Sequence, residues 1–196
     1  MEQLLNLDTI RGFFDHCAPT WDELAEHNEK IISHILDHAG ISAGQDVLDV
    51  ACGTGILFPN YEQRKVRTLT AIDLSPEMAR RAAEKLPTAQ VLCGDAAHLD
   101  FGKTFDRIMI YNAFPHFPLP DQLLRNLKKY LRPGGTLTVA HGMSREAIQQ
   151  HHASHAGAVS VDLPSIEEMT GLFSRYFTVE YSISNDILYE IVGRNC

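Results

Sequence analysis

The residues that could take part in chemistry include a glycine-rich turn between a predicted strand and a predicted helix. Residues 49–55 read DVACGTG, and Gly53 and Gly55 would let a ligand approach the backbone closely. Asp73 ends the next apolar run, where a carboxylate can accept hydrogen bonds from both hydroxyls of a ribose. Asp95 follows a third apolar run and could reach an adenine amino group. These residues together predict a nucleoside-binding site.

The same residues disfavour a dinucleotide as the ligand. A dinucleotide fingerprint needs a third glycine, and Phe58 stands at that position, where it would prevent the close contact that brings the helix N-terminus onto the pyrophosphate. Asp49, Asp73 and Asp95 would also line one pocket, which suits a cation better than a diphosphate. S-adenosylmethionine carries a ribose, an adenine, a sulfonium and an ammonium, but no phosphate. Attraction between that ammonium and Asp49 would be worth on the order of a few kcal/mol in a partly wet site.

The elements that position these residues alternate between strands and helices from Asp46 onward. Strands are predicted at 46–50, 68–72, 90–93, 106–111 and 136–141, with helices near 56–63, 75–86 and 120–130. Such alternation predicts right-handed βαβ units and a parallel sheet, with ligands at the carboxyl ends of the strands. After a helix near 164–176, segments 178–183 and 187–193 are too close in sequence for a parallel crossover. We therefore expect those two strands to pair antiparallel.

The first forty residues are predicted to be helical. Asp8 could cap a short helix that ends at Phe14. Thr20, followed by Glu23, fits a capping box for a second helix, and Gly40 is a suitable stop for it.

Composition limits the function classes. The chain has 196 residues and a formal net charge of −8, which predicts one globular domain and argues against a nucleic-acid partner. No apolar run is long enough to span a membrane, and the first residues do not resemble a secretory signal. The four cysteines are scattered without a CxxC pair. We therefore expect free thiols and a cytoplasmic protein.

Several segments resemble class I S-adenosylmethionine-dependent methyltransferases. They are 47–55 (VLDVACGTG), 71–78 (AIDLSPEM), 94–96 (GDA), 105–112 (FDRIMIYN) and 131–135 (LRPGG). In particular, the chain resembles the small bacterial ubiquinone/menaquinone C-methyltransferase-like group, because 14–22 (FDHCAPTWD) is similar to the FDxxAxxYD segment of that group. Trp21 stands where Tyr is usual, and Ala51 stands at the first motif glycine.

The resemblance implies a Rossmann-like α/β fold with helices on both faces of a seven-stranded, mostly parallel sheet in the order 3-2-1-4-5-7-6, with strand 7 antiparallel. It implies methyl transfer from S-adenosyl-L-methionine, with S-adenosyl-L-homocysteine as product. It places Asp73 on the ribose, Asp95 on the adenine amino group and loop 51–55 on the methionine part. The cofactor-binding residues expected on this basis are Asp49, Ala51, Cys52, Gly53, Gly55, Asp73, Leu74, Met78, Asp95, Ala96, Tyr111, Phe14 and Trp21.

We expect a single methyltransferase domain over 1–196. Its parts would be an N-terminal helical lid at 1–40, a cofactor-binding core at 41–141, an acceptor-side helix and insertion at 142–163, and a terminal helix and antiparallel hairpin at 164–196. The lid and the insertion would exclude water from the sulfonium.

Five of the ten histidines fall where an acceptor would bind. His116 follows the fourth strand, His141 ends the fifth, and His151, His152 and His155 lie on a predicted helix over 144–156. Histidine is the usual base near neutral pH, so His116 and His141 are the catalytic candidates. A second hypothesis is that His116, His141 and His152, with His151 or His155 as substitutes, hold a divalent metal or a metal-bearing substrate.

The remaining histidines and aromatic residues have separate expected roles. His27, His34 and His38 would share a solvent-facing side of the N-terminal helix. Aromatic faces near a sulfonium attract it, and the candidates for this contact are Phe14, Trp21, Tyr111 and Phe114.

The expected partner is a small-molecule methyl acceptor rather than a nucleic acid. Residues 111–114 read YNAF, unlike the Asn/Asp-Pro-Pro-Tyr loop of DNA methyltransferases that modify exocyclic amines. The sequence leaves open the acceptor, the atom methylated and the oligomeric state. Two other functions also stay open: an NAD(P)-dependent oxidoreductase, and a non-enzymatic metal- or ligand-binding protein on a methyltransferase fold.

Overall fold

The computed structural model describes residues 5–24 and 27–196, and its centre is one seven-stranded sheet. The strands are β1 (Asp46–Val50), β2 (Thr68–Asp73), β3 (Gln90–Cys93), β4 (Phe105–Tyr111), β5 (Leu131–His141), β6 (Thr178–Ser184) and β7 (Tyr189–Arg194). They lie in the order β3-β2-β1-β4-β5-β7-β6, and β7 is antiparallel to both β5 and β6. The predicted fold class and the antiparallel terminal hairpin are therefore confirmed.

Three helices precede β1, and the other helices lie in connections between strands. They are α1 (Leu7–Cys17), α2 (Trp21–Leu24), α3 (Glu29–His38), α4 (Phe58–Gln63), α5 (Pro76–Lys85), α6 (Pro120–Lys129), α7 (Arg145–His155) and α8 (Ile166–Phe173), with 3₁₀ turns at Ala18–Thr20 and Phe114–His116. Within residues 5–24 and 27–196, no helix combines the length and apolar character needed to cross a membrane. The four cysteines are free, as their spacing predicts.

The N-terminal helices begin at different residues from those predicted. The side chain of Asn6, rather than Asp8, caps α1 by accepting the N–H groups of Asp8 and Thr9. Asn6 has extended backbone angles, as an N-cap requires, whereas Asp8 already lies inside the first turn.

The predicted long helix from Thr20 is also wrong in its first part. Thr20 lies in a 3₁₀ turn, α2 ends at Leu24, and α3 begins at Glu29 behind an Asn28 cap. The extended backbone of Asn28 lets its side chain accept two free N–H groups, those of Lys30 and Ile31. Residues 25–26 of the predicted helix, and residues 1–4 of the predicted lid, lie outside the described residues.

Apolar side chains cover both faces of the sheet and fix its register. In β1, Leu48 and Val50 join a core with α6 and α8, whereas Val47 joins a second core with α3 and α4. Burial on both faces explains why the strands read as continuous apolar runs. Asp49 is the one fully buried polar residue of β1, and it marks the end of the sheet where a ligand would bind.

Candidate functional site

A cavity of about 740 Å³ opens at the carboxyl ends of β1 to β4, beneath α1, α2 and α7. Its volume is within the range of small-molecule sites. Every residue expected to bind the cofactor lines the cavity except Gly55. All five histidines between 116 and 155 line it as well. The structure thus brings the acids, the glycine loop and the histidines to one site.

The loop after β1 needs left-handed backbone at three positions. Ala51, Gly53 and Gly55 have φ values of 56°, 56° and 84°, a region that glycine enters freely and alanine does not. A Cβ atom on Gly55 would lie 2.7 Å from the ring of Phe58. Phe58 therefore fills the space that a third glycine leaves open in a dinucleotide site, which argues against the oxidoreductase alternative.

Two buried carboxyl groups, those of Asp49 and Asp73, lie beside this loop. Burial, and then the charge of Asp73, raises the pKa of Asp49 to about 8. Burial raises the pKa of Asp73 to about 6, although the backbone N–H groups of Ser75 and Gly53 oppose the rise. The N–H of Gly53 donates to Asp73 at 2.8 Å and that of Ser75 at 2.9 Å. A cation bound here would stabilise the charged form of both acids.

The third acid, Asp95, has a partner that the sequence argument did not identify. One carboxylate oxygen accepts the N–H of Ala97 at 2.9 Å, and the other bonds to Nδ1 of His98. The amide nitrogen of Gln122 lies 2.6 Å from Nε2 of His98. An amide nitrogen only donates, so Nδ1 carries the hydrogen that Asp95 accepts. His98 thus orients Asp95, and its position three residues further along was the signal available in the sequence.

Two acids of the N-terminal segment anchor that segment beside the glycine loop and β2. Asp15 accepts a hydrogen bond from the hydroxyl of Ser75 at 2.5 Å. Asp22 accepts one from the hydroxyl of Thr54 and pairs with Lys85 at 2.8 Å. Sequence reasoning did not assign roles to these acids, although both belong to the FDHCAPTWD segment that supported the resemblance.

Three of the four aromatic candidates line the cavity. The rings of Phe14 and Trp21 meet edge to face with centroids 5.8 Å apart, and Tyr111 lies at the end of β4. Burial raises the pKa of Tyr111 to about 12, so its hydroxyl stays protonated. Phe114 is buried in the apolar core instead, and its expected contact with a sulfonium is wrong.

The histidines line the part of the cavity that follows β4 and β5, and His116 and His141 among them are neutral because they are buried. Nδ1 of His116 lies 2.9 Å from the carbonyl oxygen of Val159, and the ring centroids of His116 and His152 are 5.0 Å apart. Burial lowers the pKa of His116 to about 4 and that of His141 to about 3. Nε2 of His141 is buried without a hydrogen-bond partner among the described residues.

The metal hypothesis finds no support in this geometry. Across residues 5–24 and 27–196, no group of three or more His, Cys, Asp or Glu side chains is arranged to hold a metal ion. His151 and His155, the proposed substitutes, stack on each other with centroids 4.9 Å apart.

The predicted solvent-facing histidine stripe is only partly correct. His27 and His34 are both exposed, as predicted, although His27 also lines the cavity. Nδ1 of His38 lies 2.9 Å from a carboxylate oxygen of the buried Glu190 in β7. Packing of α3 on the sheet, which helical spacing alone does not reveal, accounts for the difference at His38.

Comparison with known proteins gives the following matches. Residues 47–135 match the family model described as a methyltransferase domain. The chain is 30% identical over 178 residues to malonyl-[acyl-carrier protein] O-methyltransferase of Erwinia pyrifoliae, a match that covers 87% of this chain and 68% of that protein. It is 29% identical over 139 residues to demethylmenaquinone methyltransferase of Renibacterium salmoninarum, covering 68% of this chain and 58% of that one.

The chain spans only part of some curated relatives, and its fold is similar to that of a solved methyltransferase. The chain spans 45% and 40% of the length of two other curated methyltransferases that it matches. Its fold is similar to that of the N-methyltransferase NodS of Bradyrhizobium japonicum, solved in complex with S-adenosyl-L-homocysteine. The TM-score is 0.73 at 15% identity, and the match covers 96% of this chain and 97% of that one. At this identity the likeness shows the fold.

Proposed function

Because the chain belongs to the class I S-adenosylmethionine-dependent methyltransferases, we propose that it transfers a methyl group to a small-molecule acceptor. The observation that carries the proposal is the meeting of Asp49, Asp73 and Asp95 with the glycine loop in one cavity. The described lining residues include three acids but no lysine or arginine. This charge distribution favours binding of a cationic nucleoside. S-adenosylmethionine supplies a methyl group on a sulfonium when it is bound.

Different residues of the cavity would bind different parts of the cofactor. We assign Asp73 to the ribose hydroxyls, Asp95 to the adenine amino group and Asp49 to the ammonium. Loop 51–55 would hold the methionine part. The side chains that would pack against the adenosine or the sulfonium are those of Leu74, Met78, Ala96, Phe14, Trp21 and Tyr111, all of which line the cavity.

The acceptor would enter at the end of the cavity lined by histidines. His116 and His141 are the candidates to contact it, because both line the cavity away from the acids. Direct displacement needs the acceptor atom at about 3–3.5 Å from the methyl carbon, with the path opposite the sulfur open. Apolar walls around His116 would exclude the water that competes for the methyl group.

The N-terminal segment would act as the lid over this reaction. Asp15 and Asp22 attach α1 and α2 to Ser75 and Thr54, which are buried at the cofactor end. Since a lid must close after the cofactor enters, these two contacts are the ones that closing would form and opening would break.

A binding experiment tests the proposal. Calorimetry should detect S-adenosylmethionine and S-adenosyl-L-homocysteine but not NAD, and a ligand at 100 times its Kd should stabilise the protein by about 2.7 kcal/mol. Asp73→Ala should abolish this stabilisation. The matched control is Asp186→Asn, in the exposed turn between β6 and β7, which should keep it. Tight NAD binding, or no binding of either sulfur compound, would contradict the proposal.

A further inference from the structure

The acceptor end of the cavity contains no fixed charge among the residues that the structure describes. The lining residues include Asp49, Asp73 and Asp95 at the cofactor end, but no Glu, Lys or Arg anywhere. The rings of Phe14 and His152 lie beside His116. Phe117 also lines the wall, and apart from the three acids the other polar side chains of the lining are uncharged amide, hydroxyl, thiol or imidazole groups. A bound charge at this end would therefore lose its hydration without gaining an opposite charge.

His116 is held in one tautomer by the backbone. Its Nδ1 lies 2.9 Å from the carbonyl oxygen of Val159. A carbonyl oxygen only accepts, so Nδ1 carries the ring hydrogen and Nε2 has a free lone pair. Burial keeps the ring neutral near pH 7, since it lowers the pKa of His116 to about 4. The cavity thus offers a hydrogen-bond acceptor, not a cation, to whatever binds beside it.

Aromatic surfaces surround this imidazole. The Phe14 ring meets His116 edge to face, with centroids 4.9 Å apart and planes at 79°. Phe14 also contacts the rings of Phe13 and Trp21, with centroid distances of 5.2 Å and 5.8 Å. Such walls favour an aromatic ligand, because rings gain from edge-to-face and offset contacts beyond the area that they bury.

Resting on the proposed methyl transfer, we propose that the acceptor is an uncharged phenol whose hydroxyl donates to Nε2 of His116 and is methylated on oxygen. A bond forms between the phenol oxygen and the methyl carbon while the bond between that carbon and sulfur breaks. The hydroxyl proton moves to Nε2 of His116. The products are the methyl ether, S-adenosyl-L-homocysteine and an imidazolium, so the single positive charge moves from sulfur to His116.

The chemistry of other acceptors fits this end of the cavity less well. A carboxylate or phosphate would need a cation, and an amine that is protonated at neutral pH would need a carboxylate there. A thiol with a pKa near 8.5 reaches its anion more readily than a phenol with a pKa near 10, so the phenol gains more from a base. A weak base suffices for the phenol, because its proton becomes strongly acidic as the new bond to carbon forms.

A matched series of ligands tests the proposal. 4-Hydroxybenzyl alcohol, 4-hydroxybenzoate and tyramine share a phenol ring and differ in charge. Calorimetry with the protein saturated with S-adenosyl-L-homocysteine should show the neutral compound binding at least about ten-fold more tightly than the two charged ones. With S-adenosylmethionine, mass spectrometry and NMR of the neutral phenol should find the methyl group on the phenolic oxygen.

Substitution of His116 tests whether this residue is the general base. His116→Gln should lower kcat/KM with the neutral phenol by about 10²- to 10⁴-fold, the usual contribution of general base catalysis, while the Kd for S-adenosyl-L-homocysteine stays unchanged. The control is His34→Gln, which removes an exposed imidazole from α3 outside the cavity and should change neither quantity.

The outcomes separate the inference from the proposed function. Tighter binding of a charged phenol, no binding of the neutral one, methylation on nitrogen, carboxylate or ring carbon, or an unchanged rate in His116→Gln would overturn the inference. If S-adenosyl-L-homocysteine still binds, the proposed function stands in each of those cases. Failure of S-adenosyl-L-homocysteine to bind the unaltered protein overturns the proposed function itself.

Discussion

Asp15 in α1 accepts a hydrogen bond at 2.5 Å from the hydroxyl of Ser75, sixty residues further along the chain. Ser75 is fully buried and caps α5 by accepting the N–H of Met78 at 3.1 Å. Asp15 also accepts the N–H of Glu77 at 3.2 Å. A residue of the proposed lid is therefore built into the start of the helix that follows β2, the strand that ends at Asp73.

Asp15→Ala should weaken binding of S-adenosyl-L-homocysteine without unfolding the protein. The change removes an acceptor that serves two donors near the adenosine, and a hydrogen bond to a charged group is worth about 1.5–3 kcal/mol, so Kd should rise by roughly ten-fold or more. Calorimetry measures the effect. Asp8→Ala, on the exposed side of the same helix, is the control, and an unchanged Kd in Asp15→Ala would show that α1 does not contribute to binding.

Affinity for S-adenosyl-L-homocysteine should increase as the pH rises from 6 to 7.5. The pKa of Asp49 is raised to about 8, so the free protein holds a proton there that a bound ammonium must displace. Each pH unit below that pKa should cost up to about ten-fold in affinity. Measurements stop at 7.5 because an α-amino group itself loses its proton near 7.7–8.0.

Asp49→Asn is the matched variant for this experiment. It should bind the ligand more weakly and with little dependence on pH over the same interval, since no proton is released at position 49. A wild-type affinity that falls as the pH rises would contradict the assignment of Asp49 to the ammonium.

Ala51→Gly should stabilise the protein. Ala51 has a φ of 56°, and left-handed backbone costs a residue with a side chain roughly 1–2 kcal/mol. The greater freedom of glycine in the unfolded chain offsets roughly 0.5–1 kcal/mol of this, which leaves a net gain of up to about 1.5 kcal/mol. Urea unfolding measures it. The control is Ala83→Gly, on the exposed face of α5, which should destabilise the protein by a similar amount. If Ala51→Gly instead lowers the free energy of unfolding, packing of the Ala51 methyl group stabilises the protein by more than the backbone strain destabilises it.

Glu190→Gln should reduce the loss of stability between pH 6.5 and pH 8. Burial raises the pKa of Glu190 from its ordinary 4.5 to about 8, so the folded protein holds a proton that the unfolded chain has released. Stability therefore falls as the pH rises through this interval. One oxygen of Glu190 is buried without a hydrogen-bond partner among the described residues, and the other faces His38.

The measurement is the free energy of unfolding of the ligand-free protein at both pH values. Removing the ionisable group should lessen the loss by on the order of 1–2 kcal/mol, because the interval covers 1.5 pH units and each unit of proton linkage is worth about 1.4 kcal/mol. Asp49 contributes a loss of the same sign in this interval, so a slope remains in the variant. Equal slopes in the two proteins would show that His38 already neutralises Glu190.

Local sequence patterns predicted the strands and the parallel part of the sheet, and they singled out Asp49, Asp73 and Asp95, because each depends on residues close together in the chain. Asp73 and Asp95 could be placed since the carboxyl ends of parallel strands share one edge of the sheet. The contacts from Asp15 to Ser75 and from His38 to Glu190 join residues 60 and 152 positions apart. No periodicity records such pairs, so their roles emerged only from the packing of α1 and α3.

The hydrogen bond from the backbone of Gly53 to the carboxylate of Asp73 joins the residues that we assign to the two halves of the cofactor. One oxygen of the acid assigned to the sugar also fixes the loop assigned to the amino-acid tail. A substitution at Asp73 that is meant to accommodate an altered sugar would therefore also weaken binding of the amino-acid part of the cofactor. Engineering this protein to use cofactor analogues should start at the adenine side, where Asp95 is held by His98 independently of that loop.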